Sequence, residues 1–182
     1  MALDMFTASE PSFAVHIKQR GARASVLQRC DIPIAQPKDC FTMTISLDQA
    51  NRIIVGALRR AVEAGYKPMA IVVLDAAGHV KSVQRQDAAT SFRTDIATGK
   101  AWASVSMGVS SRALLQKAQA MPAFFDALAV TGQGKFIPQT GAVLIQNDAG
   151  EVLGAVGASG GTGDEDEEVC IAGVQGAGLR VG

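Results

Sequence analysis

The pattern of apolar and polar residues first becomes regular after residue 43. Between Ser46 and Gly65, apolar residues recur every three or four positions, which predicts an amphipathic helix with one buried stripe. Ser46 and Gln49 have the spacing of a capping box at the start of this helix, and Gly65 and Pro68 mark its end. The predicted stripe consists of Leu47, Ala50, Ile54, Ala57, Leu58 and Ala61.

Four apolar runs further along the chain predict two β-hairpins. The expected strands are 69–74, 79–85, 142–146 and 152–158. The first two runs flank the turn residues Asp75–Gly78, and the last two flank Asn147–Gly150. Asn and Asp bond their own backbone and Gly tolerates positive φ, so both linkers favour tight turns. Strands joined in this way pair antiparallel.

Helical spacing returns in the segments around these hairpins. Helices are predicted at 90–108, 112–120 and 122–128, a short strand at Phe136–Ile137, and a last helix from Asp164. The order is helix, hairpin, helices, short strand, hairpin and helix. This order predicts an α+β fold with an antiparallel sheet of about five strands flanked by helices, and not a parallel doubly wound sheet.

Glycines stand out in the last strand and in the loop that follows it. Gly154 and Gly157 have no side chains, so the strand backbone is bare at these two positions. The loop Ser159–Gly163 can adopt unusual backbone angles. Interior strand glycines often mark close approach by a ligand or by another backbone. One interpretation is therefore a ligand floor formed by bare strand, loop N–H groups and nearby carboxylates. The other is tight packing of strand, turn and helix.

Residues 1–42 differ from the rest of the chain. They are mixed in polarity, contain Pro11, Pro33 and Pro37, and show no sustained period. We expect a flexible leader or extension here, with an ordered arm that docks on a neighbouring subunit as the alternative. The folded domain is expected at 43–182.

Composition excludes several classes of function. The formal net charge is +0 and aromatic residues are only 5%, which argues against nucleic acid or an anionic membrane as a partner. No apolar run approaches the roughly 18–20 residues that span a bilayer. Cys30, Cys40 and Cys170 show no CxxC spacing, which favours reduced thiols and a cytoplasmic location. His16 and His79 are the two histidines, so a His-rich metal site is excluded.

Several single residues are candidates for binding. His79 follows a turn glycine and could be an axial haem ligand or a proton carrier, or a solvated turn residue. Arg85 and Asp87 end a strand, where the guanidinium could clamp a carboxylate or simply form a surface pair. Lys100 lies among apolar residues near Trp102; it could pair with a carboxylate, act as a nucleophile, or snorkel to solvent.

The acidic run 164–168 could include a general base, with Asp166 or Glu167 as the candidate. At helical spacing only some of these carboxylates can face inward. Cys170 lies one turn later and is expected to be a buried, inert thiol. The sequence has no nucleophile elbow, no Walker A loop and no zinc-ligand spacing.

Several blocks in this order resemble the GlcG/HbpS family, which includes the C-terminal domain of PduO-type proteins. The blocks are Val72–His79, Arg85–Ala88, Lys100–Ala103 and Gly154–Gly161, followed by Asp166 and Glu167. The resemblance spans about 43–182. It implies a profilin-like α+β sandwich, assembly into dimers or larger oligomers up to octamers, and haem binding in some members.

The resemblance leaves three functions open. The first is a small cytosolic oligomer that holds haem or a related tetrapyrrole, with His79 as iron ligand and Arg85 or Lys100 facing the propionates. The second is a catabolic enzyme acting on a small organic acid by hydrolysis, deamination or isomerisation. In that case Arg85 would bind substrate, the backbone of Ser159, Gly160 and Gly161 would stabilise an oxyanion, and Asp166 or Glu167 would move protons. The third is an accessory structural oligomer.

Overall fold

The computed structural model describes residues 44–182. The predicted leader 1–42 lies outside the described residues, as do His16, Cys30 and Cys40. Within the described part, no helix is both long enough and apolar enough to cross a membrane.

The described residues form five helices around a five-stranded antiparallel sheet. The helices are α1 (Leu47–Glu63), α2 (Phe92–Met107), α3 (Ser111–Ala120), α4 (Pro122–Thr131) and α5 (Gly163–Gly176). The strands are β1 (Ala70–Asp75), β2 (Val80–Arg85), β3 (Ala142–Gln146), β4 (Val152–Ser159) and β5 (Arg180–Val181), in the order β2-β1-β4-β3-β5. Both predicted hairpins are present, and β4 joins them by pairing with β1 as well as β3.

Helices cover both faces of the sheet, which confirms the predicted α+β sandwich. Alternate residues of a strand point to opposite faces. Ile71 and Val73 of β1 therefore pack in the cluster with α1 and α5, whereas Val72 and Leu74 pack with α2. The predicted capping box of α1 is formed, since Gln49 N donates to Ser46 Oγ at 3.2 Å.

One predicted strand is wrong. The segment Phe136–Ile137 pairs with no strand, and the fifth strand is β5, which pairs with β3 at the chain's C-terminal end. Phe136 is instead buried with Phe125 and Leu114 in a separate apolar cluster beneath α3 and α4. Burial of this ring holds the segment as a packed loop.

The strand glycines serve close packing between elements of the chain. A Cβ on Gly157 would lie 2.3 Å from the carbonyl oxygen of Ala97, so α2 rests directly on the bare β4 backbone. A Cβ on Gly154 would lie 2.1 Å from the carbonyl oxygen of Leu74 in β1. The interpretation of β4 as a ligand floor is therefore wrong at these two positions, and the packing interpretation is confirmed.

Candidate functional site

The candidate residues lie at two opposite ends of the sheet. Ala70, at the start of β1, pairs with Arg85 on one side and with Ser159 on the other. Arg85 and the loop after Ser159 are therefore neighbours at this end, which we call the loop end. His79 belongs to the β1–β2 turn at the opposite end.

A buried ion pair underlies the loop end. Lys100 Nζ of α2 lies 2.8 Å from Asp166 Oδ2 of α5, and the two side chains are only 7% and 2% exposed. Lys100 also donates to the carbonyl oxygen of Ala158 at 3.3 Å. The snorkelling interpretation of Lys100 is therefore wrong, and the carboxylate-partner interpretation is confirmed. The pair ties α2 to α5 at the C-terminal end of β4.

The N–H groups of the glycine loop are already bonded to the protein's own carboxylates. Gly161 N–H donates to Asp166 Oδ1 at 3.0 Å, and Thr162 N–H donates to Glu165 Oε2 at 2.7 Å. Thr162 and Glu165 form a capping box for α5 that the sequence analysis missed, although the Thr-x-x-Glu spacing signals it. A ligand oxyanion could reach these two donors only by displacing a carboxylate.

Glu167, the other candidate base, is bound to an arginine. Arg112 of α3 donates from Nε to Glu167 Oε2 at 2.7 Å and also pairs with Asp164. The hydrogen bond to Glu167, followed by the bond to Asp164, raises the pKa of Arg112 above its usual range. No local signal identifies Arg112, because it comes from another helix. A proton-transfer role for Glu167 or Asp166 stays a prediction, and each would first have to leave its cation.

Glu168 forms a third carboxylate cluster on the other side of α5. It accepts hydrogen bonds from the Tyr66 hydroxyl at 2.6 Å and from Arg60 Nε at 2.8 Å. The Tyr66 hydrogen bond, and then the Arg60 hydrogen bond, hold the pKa of Glu168 below its ordinary value. The same bonds raise the pKa of Tyr66 and of Arg60. The cluster fixes the Tyr66 ring at the loop end.

We expect Tyr66→Phe to destabilise the protein more at pH 7 than at pH 3. A carboxyl whose pKa is lowered in the folded state stabilises the fold above its unfolded pKa of about 4.3, and this contribution disappears as the pH falls through the folded pKa. Urea unfolding of both proteins at the two pH values measures the difference. Arg52→Gln, which breaks an exposed pair with Asp48 on α1, is the control and should change little at either pH. An equal loss at both pH values for Tyr66→Phe would contradict the assignment.

Cys170 is fully buried, as predicted. Its Sγ lies 3.6 Å from the carbonyl oxygen of Gly141. Burial, with a smaller contribution from the charge of Asp166, raises the pKa of the Cys170 thiol well above its usual value. Because the thiolate is the reactive form, this thiol is inert in the folded protein.

Two hollows open at the loop end. The first, the glycine-loop hollow, has a volume of about 370 Å³ and is lined by Gly65, Tyr66, Lys67, Arg93, Gly160, Gly161, Thr162 and Glu165. The second, the Arg85 hollow, has a volume of about 410 Å³ and is lined by Leu58, Pro68, Gln84, Arg85, Gln86 and Asp87. Of the predicted residues, Gly160 and Gly161 line the first hollow, and Arg85 and Asp87 line the second.

Arg93 is one of two cations that line the glycine-loop hollow, and the sequence analysis missed it. It is half-buried, and its Nη1 lies 3.4 Å from Ser159 Oγ. The available signal is its position in the first turn of α2, where the positive end of the helix disfavours a cation.

His79 is an exposed imidazole on a rigid turn. Its side chain is 80% exposed, and its Nδ1 lies 3.8 Å from Asp75 Oδ1. The same carboxylate oxygen accepts the backbone N–H groups of Ala77 and His79 at 3.0 and 2.9 Å, which fixes the turn. At 3.8 Å the two side chains form no hydrogen bond, and the exposed imidazole is open to a metal. His79 is the one imidazole among residues 44–182.

The strand that follows His79 offers an apolar surface at the edge of the sheet. β2 is an edge strand, and its Val80 and Val83 are exposed. They pair with Leu74 and Val72, so both lie on the face that α2 covers elsewhere. His79 borders neither of the two hollows. These residues fit a flat apolar ligand bound on the surface, with one axial nitrogen, and not a ligand enclosed by a single copy.

The residues described here form no cluster of three or more His, Cys, Asp or Glu side chains able to hold a metal ion by themselves. Haem requires fewer ligands from the protein than a free metal ion does, because the macrocycle supplies four ligands and the chain supplies an axial one.

Comparison with known proteins gives one family. Residues 45–175 match the family model described as haem degrading protein HbpS-like. None of the curated proteins searched matches the chain.

Solved structures share the fold. The haem complex of PduOC superimposes with a TM-score of 0.67 at 24% identity, covering 76% of this chain and 97% of that chain. Protein ORFY of Klebsiella pneumoniae has a TM-score of 0.67 at 25% identity, with coverages of 74% and 90%. HbpS has a TM-score of 0.63 at 21% identity, with coverages of 72% and 89%.

Proposed function

We propose that this chain, which belongs to the haem degrading protein HbpS-like family, binds haem or a related tetrapyrrole at the exposed edge of its sheet. The observation that carries this proposal is the imidazole of His79, which is accessible, is carried on a turn that Asp75 fixes, and is followed by the exposed apolar residues Val80 and Val83. The haem complex of PduOC, which has the same fold, supports it.

His79 would supply the axial nitrogen, and the backbone hydrogen bonds to Asp75 would hold the turn that carries it. Val80 and Val83 would lie against the macrocycle. Of the two predicted cations, Lys100 is buried and bound to Asp166, whereas Arg85 is exposed at the far end of the same strand, where it donates to the carbonyl oxygen of Ala89. Arg85 is therefore the one that a propionate could reach. Haem would add redox chemistry at iron when bound, while these residues bind and orient it.

We further propose that a second copy of the chain completes the site. The side chain of His79 is 80% exposed, so one copy leaves most of a bound macrocycle open to water. An apolar surface of this kind is stable when a partner covers it. The edge position of β2 leaves room for that partner. A cytoplasmic location and assemblies from dimer to octamer stay predictions from the sequence.

A haemin titration followed by absorbance tests the proposal. We expect a Soret band in the parent protein and an affinity at least about tenfold weaker in His79→Ala, because the axial ligand is lost. His16→Ala removes the other imidazole and is the matched control; it should titrate like the parent. The absence of a Soret band, or its loss in His16→Ala alone, would contradict the proposal.

Sedimentation of the same samples tests the second copy. Haem-loaded protein should sediment as a dimer or larger, and Val83→Asp should weaken both haem binding and self-association. A monomeric haem complex would contradict the shared site and leave His79 as the ligand of a single copy.

The enzyme alternative has less support from the geometry. Asp166 and Glu167 are both bound to cations, and the Gly161 N–H proposed for an oxyanion is donated to Asp166. The accessory oligomer would be favoured if neither ligand binding nor turnover were found.

A further inference from the structure

We infer that the glycine-loop hollow is a second binding site, which takes a small organic monocarboxylate through Arg93. This site lies at the loop end of the sheet, opposite the turn that carries His79, and does not depend on the haem proposal.

The first argument is the unpaired charge of Arg93. Among residues 44–182, no carboxylate oxygen lies within 4 Å of the Arg93 guanidinium. Each carboxylate that does lie within 4 Å of a cation is paired with a residue other than Arg93. Arg93 is nevertheless half-buried and stands in the first turn of α2, where the helix end adds further positive potential. A charge that is both partly desolvated and unpaired is costly, and an anion in the hollow would offset that cost.

The second argument is the balance of charge around the hollow. Lys67 and Arg93 contribute two positive charges, and Glu165 contributes one negative charge that the capping box holds in place. The surplus of one positive charge suits a monocarboxylate better than a phosphate dianion. The planar fork of Arg93 matches a carboxylate, since its donors bind both oxygens in one plane.

The third argument concerns which groups lining the hollow can still bind an anion. The N–H groups of Gly161 and Thr162 are taken by Asp166 and Glu165, so the backbone cannot be the anion receptor. Ser159 is buried behind the hollow, and its Oγ accepts a hydrogen bond from Arg93 Nη1 at 3.4 Å, which helps to hold the guanidinium in place. The Tyr66 ring, held by Glu168, forms one wall. A volume of about 370 Å³ suits a small acid.

Calorimetric titration with acetate, lactate and benzoate tests the inference, with acetamide and benzamide as uncharged counterparts and inorganic phosphate as a separate probe. We expect at least one carboxylate to bind and its amide not to bind. Arg93→Met should weaken that binding at least about tenfold, Arg93→Lys should retain part of it, and Lys67→Met should have a smaller effect. Arg59→Met removes an exposed cation from α1, outside the hollow, and should bind like the parent.

Binding of none of the three acids, equal binding of acid and amide, or unchanged binding by Arg93→Met would each overturn the inference. Phosphate binding that exceeds carboxylate binding would overturn the choice of ligand class. A haemin titration of Arg93→Met separates this site from the proposed haem site at His79. The variant should bind haemin like the parent protein, and a lost Soret band would instead place haem in the hollow. Circular dichroism checks that each variant is folded.

Discussion

Asp166→Asn is expected to lower the free energy of unfolding by about 3–5 kcal/mol. The amide keeps the size of the side chain and can still accept the N–H of Gly161. It removes the negative charge 2.8 Å from the Lys100 ammonium, which is left buried without a counter-charge. Breaking a buried pair in this way costs more than the pair contributes, because the remaining ion has no water around it. Urea unfolding at pH 7 measures the loss.

Two further variants show whether charge is the cause. Asp48→Asn breaks an exposed pair with Arg52 and should cost no more than about 1 kcal/mol. The double variant Lys100→Met, Asp166→Leu should be more stable than Asp166→Asn, because an apolar pair leaves no buried ion. A loss below about 1 kcal/mol for Asp166→Asn would mean that water reaches Lys100 and that the pair is not buried in solution.

Gly157→Val is expected to cost about 3 kcal/mol, because α2 cannot remain seated on the sheet. The first added carbon would lie 2.3 Å from the carbonyl oxygen of Ala97 and 3.1 Å from Ala101. The neighbouring atoms include helix backbone, which moves only if the whole helix shifts. Chemical denaturation gives the free energy, and the near-ultraviolet circular dichroism of Trp102 on α2 reports the shift.

Gly176→Ala is the matched control for Gly157→Val. A Cβ at Gly176 meets nothing within 4 Å, and the residue ends α5. Alanine there should raise stability by about 0.5 kcal/mol, because it favours the helix more than glycine does. Near-parent stability of Gly157→Val would show that the contact between α2 and β4 is looser than described.

The elements that the sequence predicts well are those whose signal is local. α1 follows from a capping box and a period of three to four residues, and both hairpins follow from apolar runs around turn residues. β5 has only two residues and pairs with one strand. Two residues are too few to show the alternation of apolar and polar positions that predicts a strand. Phe136 and Ile137 are apolar and fit a short strand, and only the packing of Phe136 against Phe125 reveals a buried loop residue.

The candidate site was harder to predict because its contacts join distant parts of the chain. Lys100 and Asp166 are 66 positions apart, and Arg112 and Glu167 are 55 apart. The sequence identifies which residues carry charge, but the partner of each follows from how α2, α3 and α5 lie around β4. Arg93 had a local signal, a cation in the first turn of a helix, but its hollow is formed by residues from three segments.

The pairing of β1 with β4 has a consequence for how the chain reaches this structure. Leu74 and Ala155, which are cross-strand neighbours at the centre of the sheet, are roughly eighty residues apart in sequence. The two hairpins can form early, but neither can bury its apolar surface until they meet, and α1 has to find α5 at the same stage. A native state with many such distant contacts forms more slowly than a helical bundle, in which most contacts are local. A nascent chain that lacks β4 therefore has no completed core, and folding waits until the C-terminal hairpin has been synthesised.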